Sequence, residues 1–233
     1  MYAISLSSIP PRFARIGPML ESLLAQRPAP ERVILALPRR YERFGGPVHA
    51  PALPAGVEIM WSPQDHGPAT KALVAADRLA GHVPRLIYCD DDWIAGPGWA
   101  AALLASARPH EAVTGQGFSV ARLGRTSGAP TAAHVDIAQG FSGVLIDPAW
   151  LSGPDLAPPA AARAVDDIWL SGLLAARGIP IRGAAHARRA LRPAFADDHA
   201  LQDSLIAGQA RHDANLTAAA LIHARHGIWP AAN

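Results

Sequence analysis

Five aspartates in two short runs carry most of the chemistry this chain could do. Asp90, Asp91 and Asp92 stand together after the apolar run "RLIYC", and Asp166 and Asp167 open the segment "DDIWLSGLL". Adjacent carboxylates repel one another, so a triplet at the end of an apolar run is stable where something positive gathers it. Side chains alternate along extended chain, which would point Asp90 and Asp92 one way and Asp91 the other. Two hard oxygen ligands that close together suit Mg²⁺ or Mn²⁺, which bind through one or two carboxylates plus substrate phosphates. The competing reading is a cap on the helix that follows, where negative charge is favourable. A cap accounts for one aspartate, and Gly96 and Pro97 already mark that helix's start.

The second pair invites a different role. Transfer to a hydroxyl needs a general base for the acceptor proton, or a carboxylate beside a cationic sugar transition state. Acidic residues are equally at home in the first turn of a helix, so Asp166 and Asp167 have a structural reading too. In "DHGPATK", Asp65 and Lys71 flank another helix start, where backbone N–H groups favour an anion. Lys71 is the only lysine among 21 basic residues. It could place a point charge on a diphosphate, or be a solvated surface lysine; Asp65 could serve as the capping acid. The spacing is not that of a P-loop.

These residues need elements to hold them. "YAISL", "RVILAL", "VEIMW", "RLIYC" and "EAVTG" read as short strands, and "PRFARIGPMLESLLAQ", "GPATKALVAADRLA" and "GPGWAAALLASA" as helices. Strand and helix alternating over residues 1–115 predict a mostly parallel sheet with crossover helices. In the second half, residues 121–133 form a polar loop, "FSGVLI" a strand, "AVDDIWLSGLLAARG" a helix ended by Gly178, and "IPIRG" a strand. From His199 to about His226 the pattern is helical. No linker separates the halves, so a single α/β domain over 1–233 is expected, with a helical C-terminal part.

In order and type, these segments resemble GT-A fold glycosyltransferases, which use nucleotide-sugar donors. The resemblance covers residues 2 to about 182. "RLIYCDDD" resembles the family's Asp-X-Asp strand end, and "SLSSIPPR" its nucleotide-contacting Ser/Thr-X-Pro-X-Arg segment. "FSGVLI" with "AVDDIWLSGLL" resembles its acceptor-side strand and catalytic helix, most closely in the exostosin-like branch. The resemblance implies a Rossmann-like GT-A sheet, with residues 1–115 as the nucleotide-binding half and 116–233 as the acceptor and catalytic half. It implies that Asp90 and Asp91 approach the donor ribose and sugar, and that Ser7, Pro10 and Arg12 border the nucleobase and ribose. Asp92 would be the principal ligand for Mn²⁺ or Mg²⁺, with Asp90 second, and Asp167 would stand ahead of Asp166 beside the anomeric carbon. Stereochemistry stays open: a base at Asp167 means inversion, and the exostosin-like likeness means retention. The donor would be a nucleoside-diphosphate sugar, UDP-linked by preference, and the acceptor a glycan, lipid-linked or small hydroxyl compound.

Composition sets the outer limits. A formal charge of +2 over 233 residues is too small to make nucleic acid the main partner. One cysteine, Cys89, rules out an internal disulfide and reads as a small buried residue. No run of 18 apolar residues occurs and the N-terminus does not resemble a signal peptide, so a cytoplasmic protein without an integral membrane segment is expected. The cluster Arg188, Arg189, Arg192 allows a peripheral place on an anionic membrane face, or simple solvation. His199, His212, His223 and His226 read as a solvent-facing stripe, and His186 is the nearest histidine by order to complete a metal site. Two rivals remain. The first is another enzyme class, either a nucleotidyltransferase, whose glycine-rich signature after the first strand is missing, or a metal phosphohydrolase, which would turn over nucleotides without a sugar acceptor. The second is a non-catalytic nucleotide- or glycan-binding module.

Overall fold

The computed structural model describes residues 1–195 and 211–232. In chain order its regular elements are β1 (Ala3–Leu6), α1 (Gly17–Leu24), β2 (Arg32–Pro38), β3 (Val57–Ser62), α2 (Thr70–Leu79), β4 (Leu86–Cys89), β5 (Trp93–Ala95), α3 (Trp99–Ser106), β6 (Ala112–Thr114), β7 (Gly117–Phe118), β8 (His134–Val135), β9 (Ile137–Ala138), β10 (Val144–Ile146), α4 (Asp166–Ala176), β11 (Ile181–Gly183), α5 (Ala185–Arg189), β12 (Leu191–Pro193) and α6 (Arg211–His226). Eight strands form one sheet in the order β3-β2-β1-β4-β10-β6-β11-β8, and β5–β12 and β7–β9 are separate pairs. Six strands of the large sheet run one way; β10 and β8 oppose them. The fold is thus α/β with a mostly parallel, Rossmann-like sheet. No helix among the described residues is long and apolar enough to cross a membrane.

The apolar strand runs have a direct cause. Alternate residues of each strand enter opposite layers: Ile34, Leu86 and Tyr88 pack with α2, α4 and α6, while Ile4, Leu35, Ile87 and Cys89 pack with α1 and α3. A strand covered on both faces has no solvent side, so it reads as an unbroken apolar run. The topology then locates the site. The chain steps outward from β1 to β2 to β3, then returns to place β4 on the other side of β1. Leu6 is in register with Cys89 across that reversal. Ser7 and Asp90 therefore leave the sheet side by side at a topological switch point, where ligands gather in open α/β sheets.

Several boundaries differ from expectation, each for a local reason. The first helix starts only at Gly17, because Pro18 sits in its first turn; Pro10–Arg12 form a separate 3-10 turn. The helix expected from Pro97 starts at Trp99, after a Gly98 cap. The crossover from β2 to β3 is, as its prolines and glycines predict, the loop 39–56. In "FSGVLI" only Val144–Ile146 is strand; Gly140–Ser142 form a 3-10 turn that ends at Gly143, whose φ is +84°. The segment 121–133 opens with a 3-10 turn at Val120–Leu123 before it becomes loop. The C-terminal helix holds over Arg211–His226, with Ile222 packed against Gly172 of α4; His199 lies outside the described residues.

The turn before β10 is anchored by buried aromatic surface. The Trp99 indole N–H donates to the Ser142 carbonyl at 2.9 Å, and a Cβ on Gly143 would lie 2.3 Å from Trp99 Cζ2. Both the positive φ and the ring exclude any other residue there. Gly143→Ala is expected to cost about 3 kcal/mol or more through overpacking and backbone strain together. Urea unfolding of the variant measures it; a loss below ~1 kcal/mol would show that Trp99 does not hold this turn.

Candidate functional site

The ends of β1 and β4, the starts of α2 and α4, and the loop 39–56 enclose a cavity of about 650 Å³. Ser7, Arg12, Asp65, Lys71, Asp90, Asp91, Asp92, Asp166 and Asp167 all line it. Nine of the ten residues singled out from sequence therefore meet in one place. Pro10 does not line it; Pro10 starts the 3-10 turn that carries Arg12 round to the cavity.

The acidic triplet does not alternate as extended chain would. Residues 91–92 bend, so all three aspartates face the cavity with different partners. Asp91 is 2% exposed and accepts hydrogen bonds from the Ser8 hydroxyl and the Arg12 guanidinium. Burial raises its pKa, against the pull of Arg12 and Ser8. Arg12 is thus an ion-pair partner and not a solvated helix residue. Tyr41 from the loop donates its hydroxyl to the Ser8 carbonyl at 2.5 Å, fixing the same corner.

Lys71 is the centre of the second cluster. It is 2% exposed, with Nζ 2.7 Å from Asp90 Oδ1 and 2.5 Å from Asp166 Oδ2. The solvated-lysine reading fails. Burial would lower its pKa, but Asp166, Asp90 and Asp167 outweigh that and hold it well above the ordinary lysine value. Gly140 closes the cluster: a Cβ there would sit 2.9 Å from Asp90 Oδ1 and 3.0 Å from Lys71 Nζ. Its backbone N–H donates to Asp167 Oδ1 at 2.9 Å. Asp65 shapes the far wall. Its two oxygens accept from the Gly67 and Glu42 N–H groups, each at 2.8 Å, tying the loop to a glycine at φ +60°. Asp65 does not cap α2, whose N-cap is Ala69 without a side-chain bond; it ties the Gly67 turn to the loop instead.

Two carboxylates are left short of partners. Asp92 Oδ1 is buried with no hydrogen-bond partner, and burial followed by repulsion from Asp90 and Asp91 pushes its pKa up to about 7. Asp167 is pushed up to about 7 by burial, then by Asp166 and Asp90, against Lys71 and the Gly140 N–H. A cation suits this corner. Among the described residues no group of three or more His, Cys, Asp or Glu is placed to hold a metal alone. An ion held by Asp92 and Asp90 would need further oxygen ligands, from water or a phosphate, to complete its shell. His186 is exposed on α5 and outside the cavity lining. On α6, His212 is exposed, while His223 and His226 are half-buried, His223 Nδ1 lying 2.8 Å from the Ile228 carbonyl. Burial pushes the Cys89 thiol up, which leaves it inert.

Sequence reasoning missed Ser8, Tyr41, Gly140 and Arg163. Arg163 pairs with Glu42, and its backbone approaches Gly67 too closely for any Cβ there. The doubled serine in "SLSS" was the one available signal. The others act through loops whose closeness only the fold creates.

No protein-family model matches the chain, and no curated protein matches it in sequence.

Two substitutions in this cluster are expected to act with opposite sign. Lys71→Met strands buried carboxylates and should cost about 3–5 kcal/mol in urea unfolding. Asp92 binds its proton more tightly folded than unfolded, so it costs stability above pH 7, and the cost fades as pH falls toward 4. Asp92→Asn should therefore raise Tm by several degrees at pH 8 in metal-free buffer, on the order of 2–4 kcal/mol. The gain should shrink steadily between pH 7 and pH 4. A gain independent of pH would show that Asp92 is not the strained carboxyl.

Proposed function

We propose that this protein is a metal-dependent glycosyltransferase of the GT-A type. It moves a sugar from a nucleoside-diphosphate donor, UDP-linked by preference, to a hydroxyl of a glycan or small acceptor. One observation carries the reading: the aspartate triplet, the serine–arginine segment after β1 and the aspartate pair of α4 line one cavity of about 650 Å³. That volume lies within the range of small-molecule and cofactor sites.

The lining divides by charge. Seven carboxylates share the wall with five basic side chains, and three of the latter, Arg43, Arg163 and Arg211, come from outside the strand ends. Such a wall suits a ligand that is anionic itself and brings a cation. In this reading the nucleoside rests against Ser7, Ile9, Tyr41 and Phe44. Asp92, whose buried Oδ1 has no partner, and Asp90 would hold Mn²⁺ or Mg²⁺, whose chemistry is to neutralise charge on the leaving diphosphate. Lys71 keeps Asp90 and Asp166 in place.

Asp167 is the base. Asp166 is committed to Lys71, whereas Asp167 uses one oxygen for the Gly140 N–H and keeps the other for substrate. A carboxyl poised near pH 7 is suited to proton abstraction at neutral pH. The acceptor oxygen bonds to the anomeric carbon, the bond from that carbon to the diphosphate oxygen breaks, and the acceptor proton passes to Asp167. Direct attack of this kind inverts the anomeric centre.

A thermal-shift screen of nucleoside diphosphates and their sugars, with and without Mn²⁺, tests the reading. A metal-dependent rise with one nucleotide class is expected, since a ligand bound only by the folded state stabilises it by mass action. Absence of any shift at millimolar metal removes the transferase reading, and phosphate release without a sugar acceptor points to a hydrolase. Asp167→Asn should keep the donor shift and lose transfer by about 10²–10⁴-fold. Proton NMR of the first product formed should show the inverted anomer; retention would take the base role from Asp167.

A further inference from the structure

Just beyond the carboxylates lies a cluster that the cavity does not include. The Trp93 and Phe141 rings meet at 5.0 Å between centroids, inclined by 37°. The Arg188 guanidinium lies over both, 4.5 Å from the Trp93 centroid and 5.1 Å from that of Phe141. Its Nε donates to Gln116 Oε1 at 3.0 Å, and Gln116 Nε2 donates to Gln139 Oε1 at 3.2 Å. The terminal amino groups of Arg188 have no hydrogen-bond partner among the described residues. Both rings are half-buried, so part of each stays exposed beside the Arg188 guanidinium.

The chain ties this ledge to the site on two sides. Trp93 follows Asp92, and Phe141 follows Gly140, the residue that touches Asp90 and Lys71 and holds Asp167. Each ring is also locked from behind. Trp93 pairs with Pro193 of β12, and the Asp92 carbonyl accepts from the Ala194 N–H at 2.8 Å. Phe141 sits in the turn that Trp99 anchors, and Gln116 N–H donates to Ser142 Oγ at 2.8 Å. A surface arginine stacked for its own stability would not need four segments, with amides at its edge, converging beside the reactive carboxylates.

The chemistry of the ledge is that of a sugar site. Aromatic faces take the C–H face of a pyranose ring, while planar forks of arginine and carboxamide bond vicinal hydroxyls in pairs. The geometry points to Trp93, Phe141 and Arg188, with the amides of Gln116 and Gln139, as the subsite that seats a pyranose ring of the acceptor. This rests on the transferase reading: the cavity takes the donor, the ledge the acceptor, and Asp167 stands where the two adjoin.

Saturation-transfer NMR of the full chain with methyl gluco-, galacto-, manno- and N-acetylglucosaminopyranosides tests this, with and without UDP and Mn²⁺. At least one pyranoside should receive saturation on its ring protons. Trp93→Ala and Arg188→Ala should weaken that binding at least ~10-fold while leaving the nucleotide thermal shift unchanged, and Trp93→Tyr should retain most of it. Gln116→Ala is a milder variant that keeps the rings intact, so a folding defect in the others does not remove the test. Absence of saturation for all four sugars, or equal binding by Trp93→Ala, overturns the subsite. A nucleotide shift with no pyranoside effect removes the ledge and leaves the transferase reading; sugar binding at the ledge without any nucleotide shift does the reverse.

Discussion

A single buried ammonium holds the site together. Lys71 Nζ lies between Asp90 at the end of β4 and Asp166 at the start of α4, and Lys71 itself belongs to the first turn of α2. Three elements distant in sequence converge on one charge. Five aspartates in so small a volume would otherwise repel, and burial would protonate them one after another. The lysine needs its partners as much as they need it, because an unpaired ammonium in that position would lose its proton. Gly140 is part of the same bargain. Only a residue without Cβ lets its N–H reach Asp167 while its Cα faces Asp90 and Lys71.

The sheet determines why this meeting occurs where it does. Strand order reverses between β1 and β4, so their carboxyl ends diverge from adjacent positions and leave room between them. Ser8 and Arg12 descend from one end and Asp91 from the other, and their mutual bonds close the gap at one corner. The loop 39–56 reaches the same corner through the Tyr41 hydroxyl on the Ser8 carbonyl, and closes the far wall through Asp65. Parts that come from different ends of the chain are thereby brought within reach of one ligand.

Much of this was legible in the residues alone, and the limits have physical causes. Strands were readable because both faces are covered, which leaves unbroken apolar runs such as "RVILAL". The aspartate runs were readable because adjacent carboxylates demand a reason. Lys71 was noticed through its rarity, yet nothing local announced its burial, which depends on partners 19 and 95 positions away. The expected alternation of Asp90–Asp92 failed because the strand ends at Cys89 and the chain bends. "FSGVLI" was too long a strand because Gly143 at φ +84° breaks it, and that turn, with Phe141 upon it, was invisible as a unit. Trp169, in the same segment as the Asp166–Asp167 pair, belongs to the core, its indole N–H satisfied by the Leu156 carbonyl.

Five chemically identical side chains end with different properties, and neighbours alone make the difference. Asp91 has one oxygen on Ser8 and the other on Arg12, so it is a fixture of the wall. Asp90 and Asp166 are bound to Lys71 and act as its counter-ions. Asp92 and Asp167 receive burial and repulsion without matching compensation, and both are driven up to about 7. A carboxyl in that state raises the free energy of the empty fold and lowers it again when a cation or a proton arrives. The strain is therefore concentrated on the two groups that face the cavity with an oxygen to spare. Folding stability is lowered most at these two groups, whereas Asp90, Asp91 and Asp166 each have a cationic partner.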